Sequence, residues 1–222
     1  MSLFTLIFKP VIKKAARHAL VGRRRDNLHP DKNRFTRADA DQILRDVWLS
    51  FARMEPEMPP EPTVGSRMVV RLADLTAATF QVLMEKGVAR EYAIQLVSDI
   101  NWGVYGRAVK PPGILAAVVT RDRVRRMRIV VNLMMGVFPF NPPGYKIEKQ
   151  SSDNGAAFDV FRCPVADRMS ARLPAQDATD LCVASWCNQD YAAAEIWGGW
   201  LERTSTLAGG ADRCDFQILA KG

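Results

Sequence analysis

Residues 138–145, Phe138-Pro139-Phe140-Asn141-Pro142-Pro143-Gly144-Tyr145, constrain the fold of this chain more than any other stretch. Each proline lacks an amide donor and crowds the turn before it, so the segment cannot be helix. The hydrophobic pattern also changes across it. Upstream, apolar residues recur every three or four positions, which is helical spacing; downstream they alternate in short runs, which is strand spacing. The chain therefore reads as a helical half followed by a β-rich half, an α+β protein. The mixture of aromatic rings and prolines suits a rigid loop closing over an apolar pocket, or a plain surface crossover.

The helical half begins with a basic amphipathic segment at residues 2–20. Phe4, Phe8, Val11, Ile12, Ala15 and Ala19 share one face, and Lys9, Lys13 and Arg17 follow one another on a second. Such a helix can lie on an anionic membrane surface through residues 1–25, or pack on its own domain or on a second subunit. A helix is expected at 36–54, with Thr36 and Asp39 as its capping box. Residues 55–63 contain four prolines and read as an extended linker. They divide an N-terminal extension, 1–63, from an α+β small-molecule domain, 64–222. Helices at 66–85 and 90–105, joined by a short connection with Gly87 as C-terminal cap, suggest an antiparallel pair. A further basic helix is expected at 122–135, its arginines forming a solvated face or meeting an anion.

In the second half, strands are expected at 145–149 and 156–162, joined through the hairpin signal Asp153-Asn154-Gly155. A helix at 178–197, ended by Gly198-Gly199, precedes strands at 200–207 and 213–219. The order is β-β-α-β-β, with an antiparallel sheet.

Charge and cysteine content narrow the function classes. Seven cations and no acid lie in residues 1–25, which equals the whole net charge of +7. The remainder is balanced, so the folded body gives no reason to expect a nucleic-acid partner. Four cysteines in 222 residues do not make a secreted disulfide framework. The first apolar run is short, with its charges after it, so no secretory leader is expected and the reading is cytoplasmic with reduced thiols, or membrane-peripheral. Zinc is disfavoured because no Cys-x-x-Cys pair occurs, and no cofactor is implied.

The segments Phe158-Asp159-Val160-Phe161-Arg162-Cys163-Pro164, Leu181-Cys182, Trp186-Cys187-Asn188-Gln189-Asp190, Leu201-Glu202-Arg203-Thr204-Ser205-Thr206-Leu207-Ala208-Gly209-Gly210 and Cys214-Asp215-Phe216 share one resemblance. Together they resemble the L-2-amino-thiazoline-4-carboxylic acid hydrolase family, best over 158–216 and weakly over 66–105. The closing strand-turn-strand is also similar in fold to the small-ligand domain of 4-vinyl reductases. His29-Pro30-Asp31-Lys32-Asn33, between two helices, resembles the loop of a J-domain co-chaperone; the plainer reading is a turn after Pro30.

The hydrolase resemblance implies ring opening of a small sulfur–nitrogen heterocycle or cyclic amidine. That reaction needs a thiolate or activated water, a base, and a cation for a substrate carboxylate. Candidate nucleophiles are Cys163 and Cys187, with Cys214 a further thiol of the site; Asp190 and Asp215 are candidate bases. Arg162 or Arg203, with Thr204, are candidates for substrate binding. Cys163 and Arg162 are strand neighbours, so their side chains are expected on opposite faces. Both histidines lie outside the region, which disfavours a Cys-His dyad. Cys182, flanked by Leu181 and Val183, reads as a packing residue. The competing function is a non-catalytic module that binds a small ligand, and a homo-oligomer remains open.

Overall fold

The structure, a computed structural model, describes residues 3–26, 29 and 33–221. Pro30, Asp31 and Lys32 of the His-Pro-Asp loop lie outside the described residues.

Helix α1 (Leu3–Leu20) buries Phe4, Ile12, Ala15, Ala16, Ala19 and Leu20. It packs on α4 (Arg90–Ala108) and on α2 (Arg37–Met54). Much of its apolar face is thus covered by protein. Several of its cations, and those just after it, meet acids of the same chain: Arg17 donates to Asp41 at 2.8 Å, Arg23 pairs with Asp99 and Arg25 with Asp39. Helix α2 begins at the capping box of Thr36 and Asp39, in which each side chain accepts from the other's amide. Its stripe of Ile43, Leu44, Val47 and Phe51 packs on α3 (Val64–Glu85). Gly87 takes the left-handed conformation (φ +78°) that lets the chain turn from α3 into α4.

Helix α5 (Lys110–Val119) and helix α6 (Arg123–Gly136, capped by Asp122) complete the first half. The Lys110-Pro111-Pro112 sequence starts α5 rather than breaking a helix, because its prolines occupy the first turn, where no amide donor is needed. The same logic produces α7 (Pro164–Arg172), with Pro164 at its first position. Neither helix is expected from periodicity alone.

Strands β1 (Lys146–Gln150), β2 (Gly155–Arg162), β3 (Gly199–Glu202) and β4 (Cys214–Ala220) form one antiparallel sheet in the order β1-β2-β4-β3. Phe158 and Phe216 are register partners across β2 and β4, and their rings stack at 4.8 Å. Strand β3 is shorter than the expected 200–207. Beyond Glu202 the amides of Thr204 and Ser205 donate to the Asp215 carboxylate instead of to a strand partner. The expected helix at 178–197 is interrupted: α8 (Ala175–Cys182) passes through a π turn (Val183–Cys187) into α9 (Gln189–Ile196).

A buried ion pair ties the halves together. Arg168 of α7 donates from Nε and Nη2 to the two oxygens of Asp74 in α3, at 2.7 and 2.8 Å, and Arg172 reaches the same carboxylate at 3.3 Å. Asp74 is fully buried, so both of its oxygens need these donors.

Candidate functional site

A pocket of about 80 Å³ opens between the sheet, the π turn and the 138–145 loop. Its lining includes all four cysteines, Asp190, Arg203, Tyr105, Phe140, Tyr145 and Trp186. The thiols therefore surround one space, although they are spread through 52 positions of sequence, from Cys163 to Cys214. Among the described residues, no group of three or more His, Cys, Asp or Glu is placed to hold a metal ion.

The thiols differ in chemistry because their surroundings differ. Cys163 follows Arg162, the last residue of β2, and immediately precedes α7. Burial pushes its pKa up to about 12, although the amides of Ala166 and Val165 oppose the shift. Cys214 is pushed to about 11 by burial, with the Leu207 amide donating to its sulfur at 3.2 Å. Cys187 is the exception. The Cys182 thiol donates a hydrogen bond to its sulfur, and Arg203 adds positive charge, so its pKa is lowered despite burial and the nearby Asp190. Cys182 is correspondingly raised well above the usual thiol range by that same bond and by burial. The π turn explains the pairing: its i-to-i+5 spacing brings residues five apart together, as Cys182 and Cys187 are. Cys182 thus has a partner role that its apolar sequence neighbours conceal.

Asp190 stands at the start of α9, one turn beyond Cys187. Its carboxylate accepts from Arg203 Nη1 at 3.0 Å and from the Tyr105 hydroxyl. It faces pocket space rather than bulk water, and burial lifts its pKa to about 6 against the opposing pull of Arg203. Arg203 is itself held firmly. Its Nη2 donates to the Cys187 carbonyl at 2.9 Å, and the guanidinium lies against the Tyr191 and Phe216 rings at 5.2 and 5.0 Å. Beside Cys163, the buried Tyr145 hydroxyl makes no well-formed hydrogen bond among the described residues. An unpartnered buried hydroxyl on a pocket wall is a place for a ligand's polar atom.

Cys163, Cys187, Asp190, Cys214 and Arg203 are brought together in this way. Arg162, Thr204 and Asp215 do not line the pocket. Arg162 donates to the Gly144 carbonyl at 2.6 Å and to Glu61 at 2.7 Å, pinning the proline-rich segment and the 138–145 loop. Burial acts to raise the Asp215 pKa, but donors from the Thr204 and Ser205 hydroxyls and amides outweigh it and hold the carboxyl well below its usual range. That cluster bends the chain after β3 and aims Arg203 inward. Alternation explains the split, since Cys214 faces the pocket and its strand neighbour Asp215 does not. Tyr105 and Tyr145 belong to the wall but lie outside the segments that carry the resemblance, whereas Trp186 and Gln189 lie within one of them. The aromatic-proline loop is the sequence signal for Tyr145, and it contributes Phe140 and Tyr145 to the pocket.

Fold and site together define an α+β protein with a thiol-lined pocket that carries one carboxylate–guanidinium pair. Residues 120–218, from the turn before α6 into β4, match the family model described as L-2-amino-thiazoline-4-carboxylic acid hydrolase. The likeness expected over 66–105 lies outside the matched residues. No curated protein and no solved structure matches the chain.

Proposed function

We propose that the pocket hydrolyses a small cyclic amidine, such as a 2-amino-thiazoline carboxylate, with Cys187 as nucleophile and Asp190 as the proton-transfer group. The observation that carries this reading is the convergence of Cys187, Asp190 and Arg203, in which the only thiol with a lowered pKa sits beside a carboxylate that titrates near neutrality. The match of residues 120–218 to a family model named for a hydrolase supports the reaction class.

In the proposed sequence the Cys187 thiolate adds to the ring carbon bonded to nitrogen and sulfur. The bond from that carbon to the ring sulfur then breaks, and protonated Asp190 supplies a proton to the leaving thiolate. Cys187 now carries an isothiourea. Water adds to the same carbon while Asp190 takes a proton, and expulsion of the Cys187 thiolate leaves a carbamoyl product. One water is consumed and Cys187 and Asp190 return to their starting states. A substrate carboxylate beside Arg203 competes with Asp190 for the guanidinium, which favours the protonated acid at the moment it is needed. The Tyr145 hydroxyl offers the substrate a hydrogen bond on the Cys163 side.

Turnover of 2-amino-thiazoline-4-carboxylate and related cyclic amidines, with intact-mass detection of a Cys187 adduct, tests this assignment. Cys187→Ala is expected to abolish turnover and adduct, and Asp190→Asn to slow turnover by about 10²–10⁴-fold. Ring opening at full rate by folded Cys187→Ala protein would sink the nucleophile assignment. A second reading, retention of a ligand without reaction, draws on the apolar character of much of the wall. It is favoured if wild type opens no ring and native mass spectrometry finds a bound molecule.

A further inference from the structure

A second cavity, of about 340 Å³, adjoins the first. It lies among α1, α3, α4, the first turn of α5, α6 and residues 138–140. Tyr105, Phe140, Trp186 and Gln189 line both cavities, so a single partition of side chains separates them. Protein interiors hold few voids larger than a water molecule, so a cavity of this size is not ordinary packing slack. It falls within the range of about 300–1,000 Å³ typical of ligand sites.

Ile12, Met68, Leu72, Leu75, Val104 and Met134 give the chamber apolar walls. Its polar side chains are turned to internal partners. Thr79 Oγ1 donates to the Leu75 carbonyl and Ser185 Oγ to the Leu181 carbonyl, each at 2.6 Å. Asn101 Nδ2 donates to Thr76 Oγ1 at 2.9 Å, and Gln189 Nε2 to the Ser98 carbonyl at 3.1 Å. Water entering the chamber would find few groups to bond, whereas dry cavities accept apolar guests. Phe138 lines the chamber yet remains 45 % exposed, which marks where it meets the surface. In the partition, Trp186 Nε1 is tethered to Thr76 at 3.3 Å, while the Phe140 ring rests edge-on against Tyr145. Phe140 is carried on the proline-rich loop, so its rotation is the simplest way to join the two spaces.

We propose that this chamber holds the apolar tail of a ligand whose polar head occupies the thiol pocket beside Asp190 and Arg203. The substrate class is then an alkyl- or aryl-bearing cyclic amidine rather than a compact polar ring. The identity of the head rests on the hydrolase reading; the tail site rests on the chamber walls.

The test is calorimetric titration of the full-length protein with 2-alkylamino-thiazoline-4-carboxylates whose chains run from ethyl to decyl. Affinity is expected to rise about three- to fourfold per added methylene until the chamber is full. Leu72→Phe and Val104→Phe, two separate ways of filling the chamber, are each expected to remove that gain and leave the ethyl compound's affinity unchanged. Equal affinity across the series in wild type overturns the proposal, and so does an undiminished gain in a folded filling variant. Because the readout is binding, it stays separate from the reaction. Chain-length-dependent affinity without turnover supports the chamber and defeats the hydrolase reading. Turnover of the ethyl compound with flat affinities does the reverse.

Discussion

Cys187 is distinguished from Cys163 and Cys214 by the hydrogen bond it accepts from the Cys182 thiol, to which the charge of Arg203 adds. Those interactions offset the desolvation that keeps Cys163 and Cys214 protonated. Limited iodoacetamide treatment at neutral pH is therefore expected to label Cys187 first, as read by peptide mass mapping. Equal or faster labelling of Cys163 would contradict that ranking. Asp190 gives a pH signature with a definite sign. Its folded pKa of about 6 lies above the unfolded value of about 3.9, because burial penalises the carboxylate. The stabilising contribution of the protonated form is present at low pH and is lost as pH rises through about 6. Wild type should lose up to about 3 kcal/mol across this window relative to Asp190→Asn, whose side chain does not titrate. Urea unfolding at about pH 4 and about pH 7 measures the difference, and parallel curves for the two proteins would contradict it.

At the scale of elements, two devices place the site. The π turn presents Cys187 to Cys182 and lets α9 begin with Asp190 directed into the pocket. The Asp74–Arg168 pair locks α7, and with it the end of β2 that carries Cys163, onto α3. Asp74→Ala leaves the buried Arg168 without its partner and is expected to cost about 3–5 kcal/mol of stability. A shift in urea midpoint measures it; a loss below about 1 kcal/mol would mean that water or another acid replaces the carboxylate. Gly65 is a further point of contact between elements. A Cβ there would lie 2.1 Å from the Pro139 carbonyl oxygen, so α3 and the loop meet with only a glycine between them. Gly65→Ala should displace the loop from both cavities and weaken ligand binding, again read by calorimetry.

Across the whole molecule, α1 behaves as part of the core. Ala15 packs within 2.8 Å of the Cβ position of Gly103 in α4, and Ile12 both fills the core and forms a wall of the second cavity. Deleting residues 1–20 is expected to unfold the protein rather than merely remove its basic segment, as a lost cooperative melting transition would show. Folded truncated protein would instead mean that α3 and α4 close over the exposed face. Among the described residues no helix is long and apolar enough to cross a membrane.

Local chemistry made much of this legible in the sequence. The period change across 138–145, the Thr36–Asp39 box and the Asp153-Asn154-Gly155 hairpin specify helices, a cap and a turn through interactions a few residues long, and all three recur in the structure. Prolines were harder to read, since the same residue ends one helix and starts α5 and α7, depending on whether an amide donor is required there. The site divides along the same line. The gathering of thiols and carboxylates in the last third is visible in residue order alone, and strand alternation sets Arg162 apart from Cys163. Which of them face one space, and which thiol is polarised, follows from how distant segments pack. Burial, the reach of Arg203 and the approach of Tyr105 and Phe140 all come from residues distant in the chain, and desolvation and charge act through space rather than along the backbone.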